Sequence, residues 1–195
     1  MKEFFLKNDA DAPLSARLFP RRFEDFAGQR HLLSDGKMLR RVIEADKMSS
    51  AIFYGPPGCG KTALAKFIAS RSKAEIFEIN AALASIAELK KILSYARKSS
   101  GSVLDSTRKT LLLLDEIHHF NRSQQDVLLP SVEKGEIVLI GITTENPFYY
   151  VNSALLSRFL IFEFKPLSED DLRKVSGRAV RASEGLGKLN VRIEK

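Results

Sequence analysis

Apolar and polar positions along this chain switch between a helical period and short unbroken runs, and that switching predicts its architecture. Between residues 37 and 47, Met38, Leu39, Val42, Ile43 and Ala45 recur at helical spacing with basic residues between them, so an amphipathic helix is expected there. Ser49-Ser50 marks the turn after it. Strands and helices then alternate: a short apolar strand at 51–54, a helix at 61–71, a strand at 75–79, a helix at 86–98 and a polar loop at 99–109. Residues 110–114, TLLLL, show no polar alternation, as expected of a central parallel strand covered on both faces. A helix from about 123 to 134, a strand at 137–142, a short helix near 153–157 and a strand at 160–164 complete the series. The regular alternation predicts an α/β protein, a three-layer α/β/α sandwich around a mostly parallel five-stranded sheet.

The two ends read differently. Residues 1–22 lack a sustained period and contain Pro13 and Pro20, which suggests an arm or linker leading into a core at 23–165. Pro166 breaks the pattern, Ser168 with Asp171 resembles a capping box, and one more helix is expected to about residue 183, ended by Gly185 and Gly187. The final VRIEK starts an element that the chain does not finish. Residues 166–195 are therefore expected to be the first part of a second, helical domain, an incomplete lid.

The clearest chemistry lies between the first strand and the helix after it. Gly55-Pro56-Pro57-Gly58-Cys59-Gly60-Lys61-Thr62 fits the phosphate-binding pattern G-x-x-x-x-G-K-[ST] in the strand-to-helix context that its mechanism needs. The glycines let backbone N–H groups curl around a phosphate while the following helix turns its positive end to the same anion. Lys61 would neutralise the β- and γ-phosphates, and the Thr62 hydroxyl would ligate Mg2+. Cys59 fills a variable position and reads as a small filler, because nothing nearby in sequence would activate it as a nucleophile.

A second signal is the apolar run 111–114 ending in Asp115-Glu116. Ligands of parallel sheets bind beyond the carboxyl ends of the strands, so this acidic pair should face the phosphate loop. Asp115 would hold Mg2+ through a coordinated water, and Glu116 would orient the water that attacks the γ-phosphate. In ATPases with a Glu beside the metal-binding Asp, the strand that here ends near Thr143-Thr144 usually inserts between the two motif strands, which gives the order 5-1-4-3-2. Thr144 would then reach the γ-phosphate region. His118 and His119 follow the acidic pair, but adjacent histidines point in different directions and have no third ligand at helical spacing. They are expected to shape the turn before Asn121, a candidate helix cap.

Composition narrows the setting. The 195 residues suffice for one α/β domain with a buried core, and 44% hydrophobic with 28% charged residues is a globular composition. Cys59 is the only cysteine, which excludes an internal disulfide. No apolar run approaches the roughly 20 residues needed to span a bilayer, and the N-terminus is too interrupted by charge for a signal peptide, so a cytoplasmic location without membrane association is expected. A formal charge of +7 leaves nucleic acid a plausible partner, though an excess this small also suits an ordinary soluble surface.

The stretches PLSARLFPRRFEDFAGQRHLLSDGKMLRRVIEADKMSSAIFYGPPGCGKT and DEIHHFNRSQQDVLLPSVEKGEIVLIGITTENPFYYVNSALLSRF resemble the RarA/MgsA family of AAA+ ATPases, which is related to the eukaryotic Werner-helicase-interacting ATPase. The likeness spans roughly residues 12–175, and HHFNRSQQDVLLP and TTENP separate this family from other clamp-loader-like ATPases. It implies a DNA-dependent ATPase that uses ATP with Mg2+, releases ADP and acts in maintenance of replication forks and in recombination. Its implied partners are single-stranded or gapped DNA, single-stranded-DNA-binding protein and further copies of itself, as a tetramer in the full-length form, with a nucleoid-associated location. By position, Thr144 matches sensor 1 with Asn146 beside it, Arg158 matches the arginine finger, and Asn80 matches the residue that restrains the catalytic Glu.

Phe19 stands before Pro20 where members of that family often carry arginine, and the arginine called sensor 2 has no match before Lys195. The C-terminal region that assembles relatives into tetramers has no match either. A chain of this extent is thus expected to bind nucleotide with little turnover. A clamp-loader subunit or a Holliday-junction branch-migration motor would share the phosphate loop, acidic pair and finger. An ATP-gated recruitment module would need less of Glu116.

Overall fold

The computed structural model describes residues 12–100 and 109–187, so most of the expected 99–109 loop and the final VRIEK lie outside the described residues. Five strands, β1 (Ala51–Tyr54), β2 (Glu75–Asn80), β3 (Thr110–Asp115), β4 (Ile137–Thr143) and β5 (Leu160–Glu163), form one sheet in the order β2-β3-β4-β1-β5. This is the expected order 5-1-4-3-2 viewed from the other edge, and every neighbouring pair is parallel.

Nine α-helices accompany these strands among the described residues: α1 (Leu14–Arg17), α2 (Arg30–Leu33), α3 (Met38–Glu44), α4 (Lys61–Arg71), α5 (Ile86–Ser100), α6 (Arg122–Glu133), α7 (Pro147–Tyr150), α8 (Ser153–Leu156) and α9 (Glu169–Arg181). The pleat of the central strands supplies two separate cores. Leu111, Leu113, Ile140 and Ile142 join Ala51 and Phe53 on the face that packs Leu39 and Ile43 of α3 and Leu64, Phe67 and Ile68 of α4. Leu112, Leu114, Leu139 and Ile52 join Leu89 and Leu93 of α5, Leu128 of α6 and Leu155 of α8 on the other. Strands apolar at successive positions are needed because both faces are covered.

Local chemistry sets the helix ends. Asn121 caps α6 and exchanges bonds with Gln124, and Ser168 does the same for α9 with Asp171. The helix expected over 37–47 is shorter: Asp46 turns left-handed at φ +50°, and Lys47 N–H reaches back to the Val42 carbonyl, a C-terminal closure that stops α3 at Glu44. The arm is more structured than its sequence suggested, since residues after Pro13 form α1 and Arg22 to Asp25 close a 3-10 turn with the Asp25 carboxylate accepting from the Arg21 and Arg22 N–H groups.

Gly55 leaves β1 at φ +144°, and a Cβ there would stand 2.2 Å from the Phe164 carbonyl oxygen just past β5. Gly55→Ala should therefore lower stability by about 3 kcal/mol, combining backbone strain with a contact that only main-chain movement relieves. A thermal melt is expected to fall by about 10 °C, at roughly 2–4 °C per kcal/mol for a domain of this size. An unchanged midpoint would show that the loop leaves β1 by another path.

Candidate functional site

The phosphate loop is built as its sequence requires. It spans the gap from β1 to α4, with Gly58 at φ +74° and Gly60 at φ +97°, and a Cβ at either glycine would meet nothing within 4 Å. Both glycines are thus needed for backbone direction while the space beside them stays open, which is the cradle a phosphate fills. Lys61 is 7% exposed, and its ammonium donates to the Gly55 and Pro56 carbonyls at 2.7 and 2.8 Å. A buried cation held by neutral carbonyls lacks an anionic partner, and a phosphate in the cradle would supply one. Thr62 is half-buried in the first turn of α4. Cys59 is packed in the core and its thiol donates to the Pro56 carbonyl, as a filler would.

The acidic pair sits two strands away, at the carboxyl end of β3. Burial, with the neighbouring Glu116 charge next in weight, pushes the Asp115 carboxyl above the usual carboxylate range although it accepts the Glu116 N–H at 3.1 Å. Two carboxylates crowded partly out of water favour a cation between or beside them. Glu116 is left-handed at φ +54°, an unusual conformation for this residue type. Its Oε2 is shielded from solvent without a hydrogen-bond partner. His118 Nδ1 is 3.4 Å from that oxygen, within ion-pair range but not aligned as a hydrogen bond.

The other named residues fall into distinct places. Asn80 pairs in register with Asp115, so it stands beside the acidic pair, with its carboxamide oxygen taken by the Ala82 N–H at 2.9 Å. Thr144 directly follows β4, which lies between β1 and β3. Asn146 caps α7 through the Phe148 N–H. Arg158 lies between α8 and β5 and pairs with Glu133 of α6 at 3.1 Å. Leu160 is in register with Ala51, the first residue of β1, so Arg158 sits at the amino end of the sheet. The phosphate loop leaves the other end, four residues or about 13 Å along β1. Arg158 is therefore not gathered with the loop and acidic pair of its own chain.

Sequence reasoning missed two contributions. Leu14, Leu18, Pro20, Phe26, Val175 and Ala179 wall a largely apolar cavity of about 400 Å³ that opens on Gly58, Cys59 and Gly60. Its position fits a planar base continuing from a phosphate in the loop. The arm and α9 thus build one wall each, which no local periodicity reveals because their contacts are distant in sequence. Phe19 instead packs against the core on the sheet face that α3 and α4 cover. The second is Gln29, 6% exposed and left-handed at φ +50°. Its amide donates to the Cys59 and Lys165 carbonyls, and its oxygen accepts the Lys165 N–H. The Gly28-Gln29 pair was the only available signal, a glycine followed by an amide that must satisfy several backbone groups if buried.

Comparison with known proteins gives the family. Residues 51–167 match the family model "ATPase family associated with various cellular activities (AAA)". The chain is 42% identical over 192 residues to a Haemophilus influenzae protein named replication-associated recombination protein A, covering 98% of this chain and 42% of that one. It is 44% identical over 168 residues to the Escherichia coli K12 protein of the same name, covering 86% and 37%. With the Dictyostelium discoideum protein named ATPase WRNIP1 it shares 40% over 177 residues, 91% and 20% of the two chains. The chain thus spans about two fifths of the length of the bacterial relatives. Among solved structures, the Thermotoga maritima RuvB Holliday junction branch migration motor superposes with a TM-score of 0.69 at 26% identity, covering 91% of this chain and 57% of that one. The phosphate loop, the acidic pair across the sheet and these matches together place the chain in the AAA family of ATPases, where its sequence is similar to the replication-associated recombination proteins.

Proposed function

We propose that this chain is the ATP-hydrolysing module of a DNA-dependent ATPase that acts in replication-fork maintenance and recombination, with hydrolysis at an interface between subunits. The observation that carries the hydrolytic part is the open glycine cradle with Lys61 after β1 and, after β3 two strands away, a glutamate whose Oε2 is shielded and lacks a hydrogen bond. Backbone N–H groups of 55–62 and Lys61 bind the ATP phosphates, Lys61 exchanging its two carbonyls for phosphate oxygens. Glu116 orients the attacking water and takes up its proton, Thr144 contacts the γ-phosphate, and Asn80 restrains Glu116. Thr62 and Asp115 are the residues to hold Mg2+, which when bound neutralises phosphate charge. Arg158, turned away from its own loop, serves the γ-phosphate of a neighbouring copy in a homo-oligomer, a tetramer when full-length.

The DNA role rests on the relatives' names, and with it go single-stranded or gapped DNA and single-stranded-DNA-binding protein as partners. No described helix is long and apolar enough to cross a membrane, and we assign a nucleoid-associated place in the cytoplasm. Residues 1–22, 23–165 and 166–195 serve as arm, ATPase core and first part of a lid. A branch-migration motor is the second reading, favoured by the likeness to RuvB, but the relatives at 42–44% identity carry the recombination-protein name. The full-length protein should hydrolyse ATP several-fold faster with gapped or single-stranded DNA than with intact duplex. Stimulation only by four-way junctions would favour the motor, and indifference to every DNA would reject the DNA-dependent reading.

A further inference from the structure

We propose that His118 is a positioning residue for Glu116, holding its carboxylate and tying it to the end of β4 through Thr143; this rests on the hydrolytic reading of Glu116 above. Three observations converge on the imidazole. The Glu116 side chain leaves a left-handed backbone, and its Oε2 is shielded without a hydrogen bond, so nothing on its own turn fixes that oxygen. His118 Nδ1 is the polar atom facing it, 3.4 Å away, and also lies 2.8 Å from Thr143 Oγ1. Asn80, the residue aligned with the restraining role, has its carboxamide oxygen taken by the Ala82 N–H and keeps only its amide N–H groups for Glu116, so the imidazole is a second donor beside it.

The ring is held where it can do this. Its side chain is 15% exposed, the His119 ring lies tilted against it at 4.3 Å, and the Tyr150 ring meets it edge-on at 5.9 Å. Tyr150 is itself fixed by the Gln125 amide, which donates to its carbonyl. Thr143 is 1% exposed, pairs with Tyr54 immediately before the phosphate loop, and accepts the Glu145 N–H on the same hydroxyl oxygen. With a proton on Nδ1, that N–H bonds Thr143 Oγ1 and stands 3.4 Å from Glu116 Oε2, the oxygen that has no hydrogen-bond partner. With the proton on Nε2 alone, a lone pair would face a carboxylate at 3.4 Å. In the Nδ1-protonated ring, a small tilt transfers the bond from the hydroxyl to the carboxylate. Thr143 precedes Thr144, so the strand that senses the γ-phosphate and the acid that orients water share one imidazole.

The test is steady-state ATP turnover and nucleotide affinity of the full-length protein with DNA, for His118→Ala and His118→Asn, each alone and combined with Glu116→Gln. Outer residues that orient a reacting group typically account for about 10- to 100-fold in activity. His118→Ala should lower kcat by about 10- to 50-fold with nucleotide affinity within about twofold. Asn carries an N–H donor close to the Nδ1 position and should recover most of that loss. In the Glu116→Gln background, His118→Ala should cost little more, since both act through one carboxylate. Wild-type kcat in His118→Ala overturns the proposal, as does an undiminished further loss in the Glu116→Gln background. A His118→Ala variant that loses nucleotide binding along with turnover, and is not restored by Asn, would show a structural residue and also overturn it. Wild-type turnover by Glu116→Gln is a different result: the hydrolytic role of Glu116 itself fails, and the assignment of His118 falls with it.

Discussion

Arg158→Ala in the full-length protein should reduce DNA-stimulated ATP turnover by about 10³-fold or more, the scale of a missing arginine finger, while leaving nucleotide affinity nearly unchanged. The reason is positional. Arg158 stands at the amino end of β5, beside the start of β1, and the loop of its own chain opens at the far end of that strand. Its guanidinium is half-exposed and meets Glu133, an exposed pair whose loss should alter stability by less than about 1 kcal/mol. A large kinetic defect with an unchanged melting temperature is therefore the signature of a residue that serves turnover and not the fold. Mixing gives a sharper reading. Arg158→Ala subunits retain an intact acid, and Glu116→Gln subunits retain an intact finger, so co-assembled subunits should regain part of the activity at interfaces that pair one of each. No recovery after confirmed subunit exchange would refute action in trans.

Glu116→Gln should lower turnover by about 100-fold or more and preserve ATP affinity, the scale of losing a positioned base. The amide keeps the size of the side chain and removes its charge, so contacts that bind nucleotide through the loop and Lys61 are untouched. Asp115 should respond as well. The Glu116 charge is the second cause, after burial, that lifts the Asp115 carboxyl, and the amide removes it. The Asp115 carboxyl should titrate lower in the variant, which carboxylate-resolved NMR can follow. Undiminished turnover in Glu116→Gln would remove this residue from the mechanism, whereas loss of ATP binding would assign it to the nucleotide pocket instead.

The parts legible in the sequence were those whose physics is local. Strands such as 111–114 announce themselves because burial on both faces removes polar positions, and the phosphate loop does so because its glycines and Lys61 must occur at fixed spacing. The strand order required more than periodicity, and came from the way a Glu beside a metal-binding Asp is usually arranged. The short helix in the arm left no signal because α1 is four residues long with Pro13 before it, too short to show a period, and the cavity it lines with α9 joins residues more than 150 positions apart. The histidine pair was placed correctly at a turn, but the approach of His118 to Thr143 is made by neighbouring strands and leaves no trace in spacing.

Gln29 has a mechanical consequence. Its side chain is a rivet: one end grips the phosphate loop at Cys59, and the same amide grips both backbone groups of Lys165, the last residue before Pro166 turns the chain toward α9. A swing of the segment beyond Pro166 that keeps these bonds must pivot about Lys165, with the loop as its anchored bearing. One that moves Lys165 itself must either drag the loop or leave a buried amide unpaired, at a cost of about 1–3 kcal/mol. One glutamine thus fastens the start of the segment beyond Pro166 to the loop at Cys59.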